Sequence, residues 1–140
     1  MPRIVTRSVA ETEALGGRLA ARCTAGTVVA FFGGLGMGKT AFVRGMAKVL
    51  APQAAVSSPT FALVNDYGGT PPLVHFDMYR VTGWEDLDTT GFFEYQDAGA
   101  ILAVEWSENI EAALPADAVR VTFERLSETE RAITVEGVSL

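Results

Sequence analysis

The sequence predicts an α/β fold with a mainly parallel central sheet, helices on both faces of the sheet, and antiparallel hairpins added to it. Three observations support this prediction. Thr27 to Phe32 is a continuous run of apolar, β-branched and aromatic residues, which is typical of a strand buried on both faces. A glycine-rich turn leads from that run directly into the helix-like stretch Ala41 to Leu50. Ala100 to Trp106 is a second buried strand pattern, which indicates a second central strand.

The length and composition indicate a single globular domain spanning residues 1–140. Hydrophobic residues make up 49% of the chain and charged residues 20%, as in ordinary soluble proteins. No apolar run approaches the roughly 18 residues of a membrane span. The N-terminus also lacks the apolar core of a signal peptide. We therefore expect a cytoplasmic protein that does not associate with membranes.

The formal net charge of −6 argues against a protein that holds nucleic acid through its own basic surface. If RNA matters to the function, we expect a partner to hold it. The single cysteine, Cys23, cannot form an internal disulfide, and the sequence contains no Cys/His cluster for zinc. We expect Cys23 to lie buried near the end of the first helix.

The first elements follow from local sequence patterns. Arg3 to Arg7 alternates weakly and predicts a short strand. Ser8 and Glu11 then form a capping-box pattern, which predicts a helix beginning at Ser8. Gly16 and Gly17 are expected to weaken this helix locally, and Thr24 to Gly26 ends it.

The segment after the second helix is punctuated by Pro52 and Pro59, so that helix should end near Leu50. Two strand-like runs then predict an antiparallel hairpin, and two short helical pieces follow on either side of Gly91. The strand runs are Phe61 to Tyr67 and Leu73 to Tyr79, and the helical pieces are Trp84 to Thr90 and Phe92 to Gln96.

The last third of the chain predicts one more helix and a second hairpin. Ser107 to Leu114 should form a short helix with Ser107 as its cap and Pro115 as its stop. Apolar and polar residues alternate with period two in two segments, Val119 to Glu124 and Arg131 to Glu136. This pattern predicts two paired strands with one solvent-exposed face.

The glycine-rich turn fits the pattern G-x-x-x-x-G-K-[ST]. In this pattern backbone N–H groups wrap phosphates, the lysine reaches the terminal phosphates and the hydroxyl holds Mg²⁺. The buried strand before the turn and the helix after it are the context that such a loop requires. The fold is therefore predicted to be P-loop NTPase-like. The phosphate-binding residues are predicted to be Gly33, Gly34, Leu35, Gly36, Met37, Gly38, Lys39, Thr40 and Ala41.

A P-loop needs a carboxylate at the end of a nearby strand to complete the Mg²⁺ shell. Glu105 follows the buried run Ile101 to Val104, and Asp77 lies between large apolar neighbours near the end of another strand. Because Mg²⁺ takes only one or two protein carboxylates, both can be used, one on the metal and one orienting the attacking water. The sequence does not assign which carboxylate has which role. The alternatives are a surface acid at Glu105 and a structural pair between Asp77 and Arg80.

Three further features have a functional and a structural interpretation. Ser57 to Phe61 lies where switch proteins place a segment that senses the γ-phosphate, although it is also an ordinary proline turn. His75, the only histidine, is more readily interpreted as a core residue than as a catalytic one. Trp106 is expected to pack, with nucleotide or partner contact as the alternative.

Together these motifs resemble one family, TsaE (formerly YjeE), the small bacterial P-loop ATPases needed for threonylcarbamoyl modification of adenosine in tRNA. The likeness rests on four segments whose order and spacing match: Gly33 to Thr40, Ser58 to Tyr67, His75 to Arg80, and Glu105 to Glu108. Four motifs in register are far more specific than a P-loop alone.

The resemblance implies an ATP- and Mg²⁺-dependent ATPase that acts on the TsaD–TsaB pair, the transferase that modifies tRNA, and so meets tRNA only indirectly. It implies that Lys39 holds β/γ-phosphate oxygens, that Thr40 and Glu105 hold Mg²⁺, and that Asp77 completes the metal or water shell. Thr60 would lie near the γ-phosphate. The base would lie near the first strand–helix junction and the final hairpin.

Two positions depart from the family pattern: Gly34 stands where Asp is usual, and Ala41 where a second Thr is usual. Ala41 keeps its backbone N–H but lacks a hydroxyl that could reach the α-phosphate, so we expect weaker ATP binding than is normal for the family. Slow basal hydrolysis is expected, because the sequence offers no candidate for an arginine finger more definite than Arg80. The competing functions are a small-molecule kinase and a nucleotide-gated adaptor in which hydrolysis is incidental.

Overall fold

The computed structural model describes residues 3–33, 38–56 and 64–140. Helices and strands alternate along most of the chain. They are β1 (Arg3–Thr6), α1 (Val9–Ala20), β2 (Val28–Phe32), α2 (Lys39–Leu50), β3 (Val64–Gly69), β4 (Pro72–Asp77), α3 (Trp84–Thr89), α4 (Phe92–Asp97), β5 (Ile101–Glu105), a 3-10 helix (Ser107–Ala113), β6 (Val119–Arg125) and β7 (Arg131–Glu136).

The strands form one seven-stranded sheet in the order β1-β7-β6-β2-β5-β4-β3. The central strand β2 runs parallel to both of its neighbours, β5 and β6, and β4 runs parallel to β5. The hairpins β3–β4 and β6–β7 are antiparallel, and β1 pairs antiparallel with β7. The predicted fold class, a mainly parallel α/β sheet with added hairpins, is confirmed.

Helices cover both faces of the sheet, and each face has its own apolar core. Helices α1 and α2 pack on one face against a cluster that includes Phe31, Ile101 and Ala103. Helices α3 and α4 and the 3-10 helix pack on the other face against a cluster that includes Phe76 and Val104. Because successive residues of a strand point to opposite faces, the odd-numbered positions of β4 and β5 face α1 and α2.

The glycines of α1 have a packing role that the sequence analysis did not predict. A Cβ added at Gly16 would lie 2.1 Å from the Phe42 carbonyl oxygen, and one added at Gly45 of α2 would lie 1.8 Å from the Glu13 carbonyl oxygen. The missing side chains let the two helix backbones approach closely. Gly16 is therefore a contact point between α1 and α2, a role separate from the local weakening that its helix propensity predicts.

The predicted cap of α1 is confirmed in part. The Ser8 hydroxyl accepts a hydrogen bond from the Glu11 N–H at 3.1 Å, whereas the Glu11 carboxylate reaches the N–H of Arg7 at 2.9 Å, one residue before the cap. The predicted cap of the last helix is wrong. Trp106 precedes that helix, and Ser107 is its first residue, with a hydroxyl that donates to the Val104 carbonyl at 2.8 Å.

Cys23 lies just beyond α1 and is partly buried, near the place expected. Its thiol donates to the Leu19 carbonyl at 3.5 Å, and burial raises its pKa to about 11. In the parts of the chain that the structure describes, no helix has the length and apolar character needed to span a bilayer.

Candidate active site

The N-terminus of α2 begins immediately after the glycine-rich turn and is open to an anion. Gly38 precedes the helix in a left-handed conformation (φ 95°), and the described residues provide no side-chain cap there. The first N–H groups of a helix have no intrahelical partners, and they attract negative charge. Lys39 and Thr40 occupy the first turn of α2, so the motif's cation and hydroxyl lie where those N–H groups point.

Lys39 is buried, with only 4% of its surface exposed. Its Nζ donates to the Gly33 carbonyl at 2.8 Å, lies 4.0 Å from Glu105 Oε1, and lies 5.0 Å from the centre of the Trp106 ring. A buried ammonium is costly unless polar or anionic groups surround it, and these three contacts meet that need. They also hold the ammonium between the end of β2 and the end of β5.

Glu105, the last residue of β5, is 6% exposed. Each of its two carboxylate oxygens contacts a different side chain, one that of His75 and the other that of Lys39. Its Oε2 lies 2.6 Å from Nε2 of the fully buried His75, and its Oε1 faces Lys39. When Nε2–H donates to the carboxylate, Nδ1 is left as an acceptor for the Tyr67 hydroxyl at 3.4 Å. The alternative of a surface acid at Glu105 is excluded, because the side chain is buried within this cluster.

Asp77 ends β4 and lies in register with Glu105 on the adjacent strand, so the two side chains leave the sheet on the same face. It is half-buried, and its Oδ1 accepts a hydrogen bond from the Tyr79 N–H at 2.9 Å. Among the residues that the structure describes, Arg80 forms no ion pair with it and is exposed. The alternative of an Asp77–Arg80 pair is therefore not found.

Trp106 follows Glu105 with positive backbone angles (φ 58°, ψ 41°), a conformation that is uncommon for a bulky residue. This turn sends the chain away from the sheet and lays the indole beside Lys39 and against Tyr79, whose ring centre is 4.9 Å away. Strained residues of this kind tend to occur at functional sites. The packing predicted for Trp106 is present, and the indole also borders the lysine.

A cavity of about 270 Å³ opens on the other side of Gly38. It is lined by Ser8 and Thr12 at the first strand–helix junction, by Ala41 of α2, and by Glu128 and Arg131 near the final hairpin. These are the two regions between which the resemblance places the nucleotide base. Ala41 lies on the wall of this cavity.

The structure thus brings together Lys39, Thr40, Asp77, Glu105 and Ala41 around the start of α2. Gly33 directly follows β2 at the same place, and a Cβ there would lie 2.8 Å from the Phe123 carbonyl oxygen. Five other predicted site residues fall outside the described residues: Gly34, Leu35, Gly36, Met37 and Thr60.

His75 is the one residue of this cluster that the sequence analysis set aside. The sequence predicts a core residue, as is usual for a single histidine in an apolar strand. That prediction is confirmed, because His75 is completely buried, and its ring in addition forms a hydrogen bond with Glu105. The available signal was the spacing of two residues between His75 and Asp77, which places both side chains on one face of β4.

Comparisons with known proteins match most of the chain. A family model described as "Threonylcarbamoyl adenosine biosynthesis protein TsaE" matches residues 6–133. The chain is 36% identical over 129 residues to the Bacillus subtilis protein named tRNA threonylcarbamoyladenosine biosynthesis protein TsaE, covering 91% of this chain and 80% of that protein. It is 35% identical over 133 residues to the protein of the same name from Treponema pallidum, covering 95% and 98%.

A solved structure has the same fold as this chain. The crystal structure of YdiB from Bacillus subtilis superposes with a TM-score of 0.76 and 32% identity, covering 96% of this chain and 83% of that one. Because the family model matches most of the chain and the relatives align over nearly all of it, the chain belongs to the TsaE family.

Proposed function

We propose that this protein binds and slowly hydrolyses ATP with Mg²⁺, and that it supports threonylcarbamoyl modification of tRNA by acting on the TsaD–TsaB pair. Membership of the TsaE family supports the role in tRNA modification. The ATPase proposal rests mainly on one contact, the ion pair between Lys39 at the start of α2 and Glu105 at the end of β5, the strand beside β2.

The residues present fit a nucleotide triphosphate with a divalent ion. The uncapped start of α2 and the buried Lys39 suit phosphate oxygens, which are the anions that such helix ends bind. Thr40, Glu105 and Asp77 supply the oxygen ligands that Mg²⁺ takes alongside phosphate, and they lie at one edge of the sheet. When bound, the ion would neutralise charge that develops on the transferring phosphoryl group.

The chain's own residues have separable tasks in this proposal. Lys39 binds terminal phosphate oxygens after leaving the Gly33 carbonyl, which holds its Nζ now. His75 fixes the orientation of Glu105 through Oε2 and leaves Oε1 directed toward the phosphate side. Asp77 is half-buried and next to Glu105 in register, which suits a carboxylate that orients water. Thr60 remains a predicted contact of the γ-phosphate.

The test is phosphate release from ATP, measured with and without the purified TsaD–TsaB pair. We expect slow release by the protein alone and a clear increase with the pair, because Arg80, the most definite candidate for an arginine finger, is exposed, and such a group can contribute about 10³-fold or more. Equal rates in the two conditions would defeat partner activation.

The adaptor alternative is separated by Glu105→Ala and Asp77→Ala, with Asp117→Ala, an exposed acid at the opposite edge of the sheet, as the control. A turnover-dependent factor with either site variant should bind ATP and fail to support tRNA modification. Full modification by both site variants would instead indicate that hydrolysis is incidental.

A further inference from the structure

The charge of this protein is divided unevenly along the chain. Residues 64 to 118 contain eleven acidic side chains and one basic side chain, Arg80, which gives a formal charge of −10. The other residues contain six acidic and ten basic side chains, a charge of +4, and the two parts together give the net −6. Nine of the eleven acids are exposed. Seven of these exposed acids lie on α3, α4 and the 3-10 helix, which contain no basic residue, so the side of the sheet that these helices cover is strongly acidic.

This acidic side contains a groove of about 280 Å³ between α3 and the 3-10 helix. We call it the α3 groove. Its walls combine polar groups with the apolar side chains of Trp84 and Leu87 from α3, and of Ile110 and Ala113 from the 3-10 helix. Trp84 is 60% exposed at its edge, although tryptophan is usually well covered in a folded protein.

The indole of Trp84 is held in place by its neighbour. It stacks on Phe93 of α4 with the ring planes 13° apart and the ring centres 6.1 Å apart. A rigid, exposed aromatic ring at the edge of a groove loses little conformational entropy on binding, and such residues often dominate interface energetics. The indole face also attracts cationic side chains, arginine above all.

The α3 groove is connected to the candidate active site. Asn109 lines the groove, and its side-chain amide donates to the carbonyls of Met78 and Tyr79 at 2.8 and 3.1 Å. The Tyr79 ring is 60% exposed and packs against Trp106, which borders Lys39. A partner seated over the groove and Tyr79 would therefore contact residues one step from the lysine.

We infer that the α3 groove, with Trp84 at its edge and the exposed acids around it, is the docking surface for a basic protein surface that inserts an arginine or lysine side chain beside Trp84. The inference rests on the proposed function and names the contact surface for the TsaD–TsaB pair. Charge complementarity selects this occupant, because helices that carry seven exposed acids and no basic residue repel the phosphates of RNA and of anionic lipids. The apolar side chains of the groove accommodate the methylene stem of the inserted side chain.

The experiment measures the dissociation constant of the full-length protein for the purified TsaD–TsaB pair at low and high ionic strength. Trp84→Ala should weaken binding by about 10- to 30-fold, as expected for an aromatic hot-spot residue that the partner covers in the complex. Glu85→Lys should weaken it by about fivefold at low ionic strength and by less at high ionic strength, because salt screens exposed charges.

The matched controls carry the same chemical changes elsewhere on the surface. Leu126→Ala removes another exposed apolar side chain, and Glu124→Lys reverses another exposed charge. Both should bind the pair as the unmodified protein does. Asp86 is left unchanged because its carboxylate accepts hydrogen bonds from the Thr82 hydroxyl and N–H, which lower its pKa and support the start of α3.

The outcomes separate the two proposals. If the unmodified protein binds the pair and both Trp84→Ala and Glu85→Lys bind equally well, the docking surface is wrong and the proposed function stands. If the unmodified protein does not bind the pair, the partner assignment fails and the docking inference fails with it. Loss of self-association by Trp84→Ala in sedimentation, with unchanged binding of the pair, would assign the groove to a second copy of this chain and overturn the inference.

Discussion

Glu105 is a buried carboxylate whose neighbours explain how it is tolerated in the interior. A carboxylate removed from water is costly unless hydrogen bonds and opposite charge replace its hydration. His75 supplies the hydrogen bond at 2.6 Å and Lys39 supplies the charge at 4.0 Å. The lysine contact is long enough to be exchanged for a ligand, whereas the histidine contact is short and fully enclosed. His75 is thus a positioning residue for Glu105.

We expect His75→Leu to lower the rate of ATP hydrolysis by about tenfold and the free energy of unfolding by about 1.5–3 kcal/mol, because a buried charged acceptor loses its donor. His75→Gln retains an N–H donor and should recover most of the rate. The measurements are phosphate release and denaturant unfolding. A His75→Leu protein that is destabilised but hydrolyses ATP normally would show that His75 is structural only.

The positions of Lys39 at the start of a helix and of Glu105 at the end of a buried strand could be predicted from sequence, whereas the contact of His75 with Glu105 could not. A P-loop motif and a buried strand ending in an acid are local patterns, and each marks its residue directly. The partner of His75 depends on β4 lying beside β5 in a register that pairs His75 with Ala103 and Asp77 with Glu105. Strand pairing is not local in sequence, so the bond between His75 and Glu105 could not be derived from either segment alone.

Ala41 tests the departure from the family pattern. Its side chain lines the cavity beside Gly38, one residue after the predicted Mg²⁺ ligand Thr40. A hydroxyl at this position could bond to a phosphate oxygen, and a hydrogen bond to a charged group is worth about 1.5–3 kcal/mol. We therefore expect Ala41→Thr to tighten ATP binding about tenfold in a nucleotide titration. Ala41→Val has nearly the same shape without the hydroxyl and should show no gain, and equal affinities for all three proteins would contradict the prediction.

At the level of elements, the pairing of α1 with α2 depends on glycines. The two helices lie side by side on one face of the sheet, and their backbones come close at Gly16 and Gly45. Their positions determine where α2 begins, and therefore where Lys39 and Thr40 lie. The helices themselves could be predicted from capping and apolar periodicity. The distance between them could not be predicted, because the sequence indicates only that a glycine lowers helix propensity. It does not indicate that the glycine contacts another helix.

Gly45→Ala should destabilise the protein by about 3 kcal/mol or more, because its Cβ would lie 1.8 Å from the Glu13 carbonyl oxygen and backbone cannot move away cheaply. Gly17→Ala is the matched control. Its Cβ would meet its nearest neighbour at 3.4 Å, so the better helix propensity of alanine should leave stability unchanged or raise it by up to about 1 kcal/mol. Urea unfolding of both variants measures the difference, and similar losses in the two would rule out close helix approach as the cause.

At the scale of the whole molecule, the strand order brings residues from distant parts of the chain to one end of the sheet. Lys39 and Thr40 follow the central strand, Glu105 ends the strand beside it, and Asp77 ends the strand after that. The ends of these parallel strands meet at one edge of the sheet, and the start of α2 faces that edge. A ligand that contacts all four residues therefore links elements that are up to 66 positions apart in sequence, from Lys39 to Glu105.

Such a ligand should stabilise the entire fold, because it binds the assembled site and not the unfolded chain. At an ATP concentration 100 times its dissociation constant, the gain is about 2.7 kcal/mol. For a chain of this size that corresponds to a rise in Tm of about 8 °C. We expect this rise with ATP and Mg²⁺ together. Lys39→Met should abolish it, whereas Lys48→Met, which changes an exposed lysine of the same helix, should retain it. An equal rise in both variants would mean that the nucleotide binds away from the start of α2.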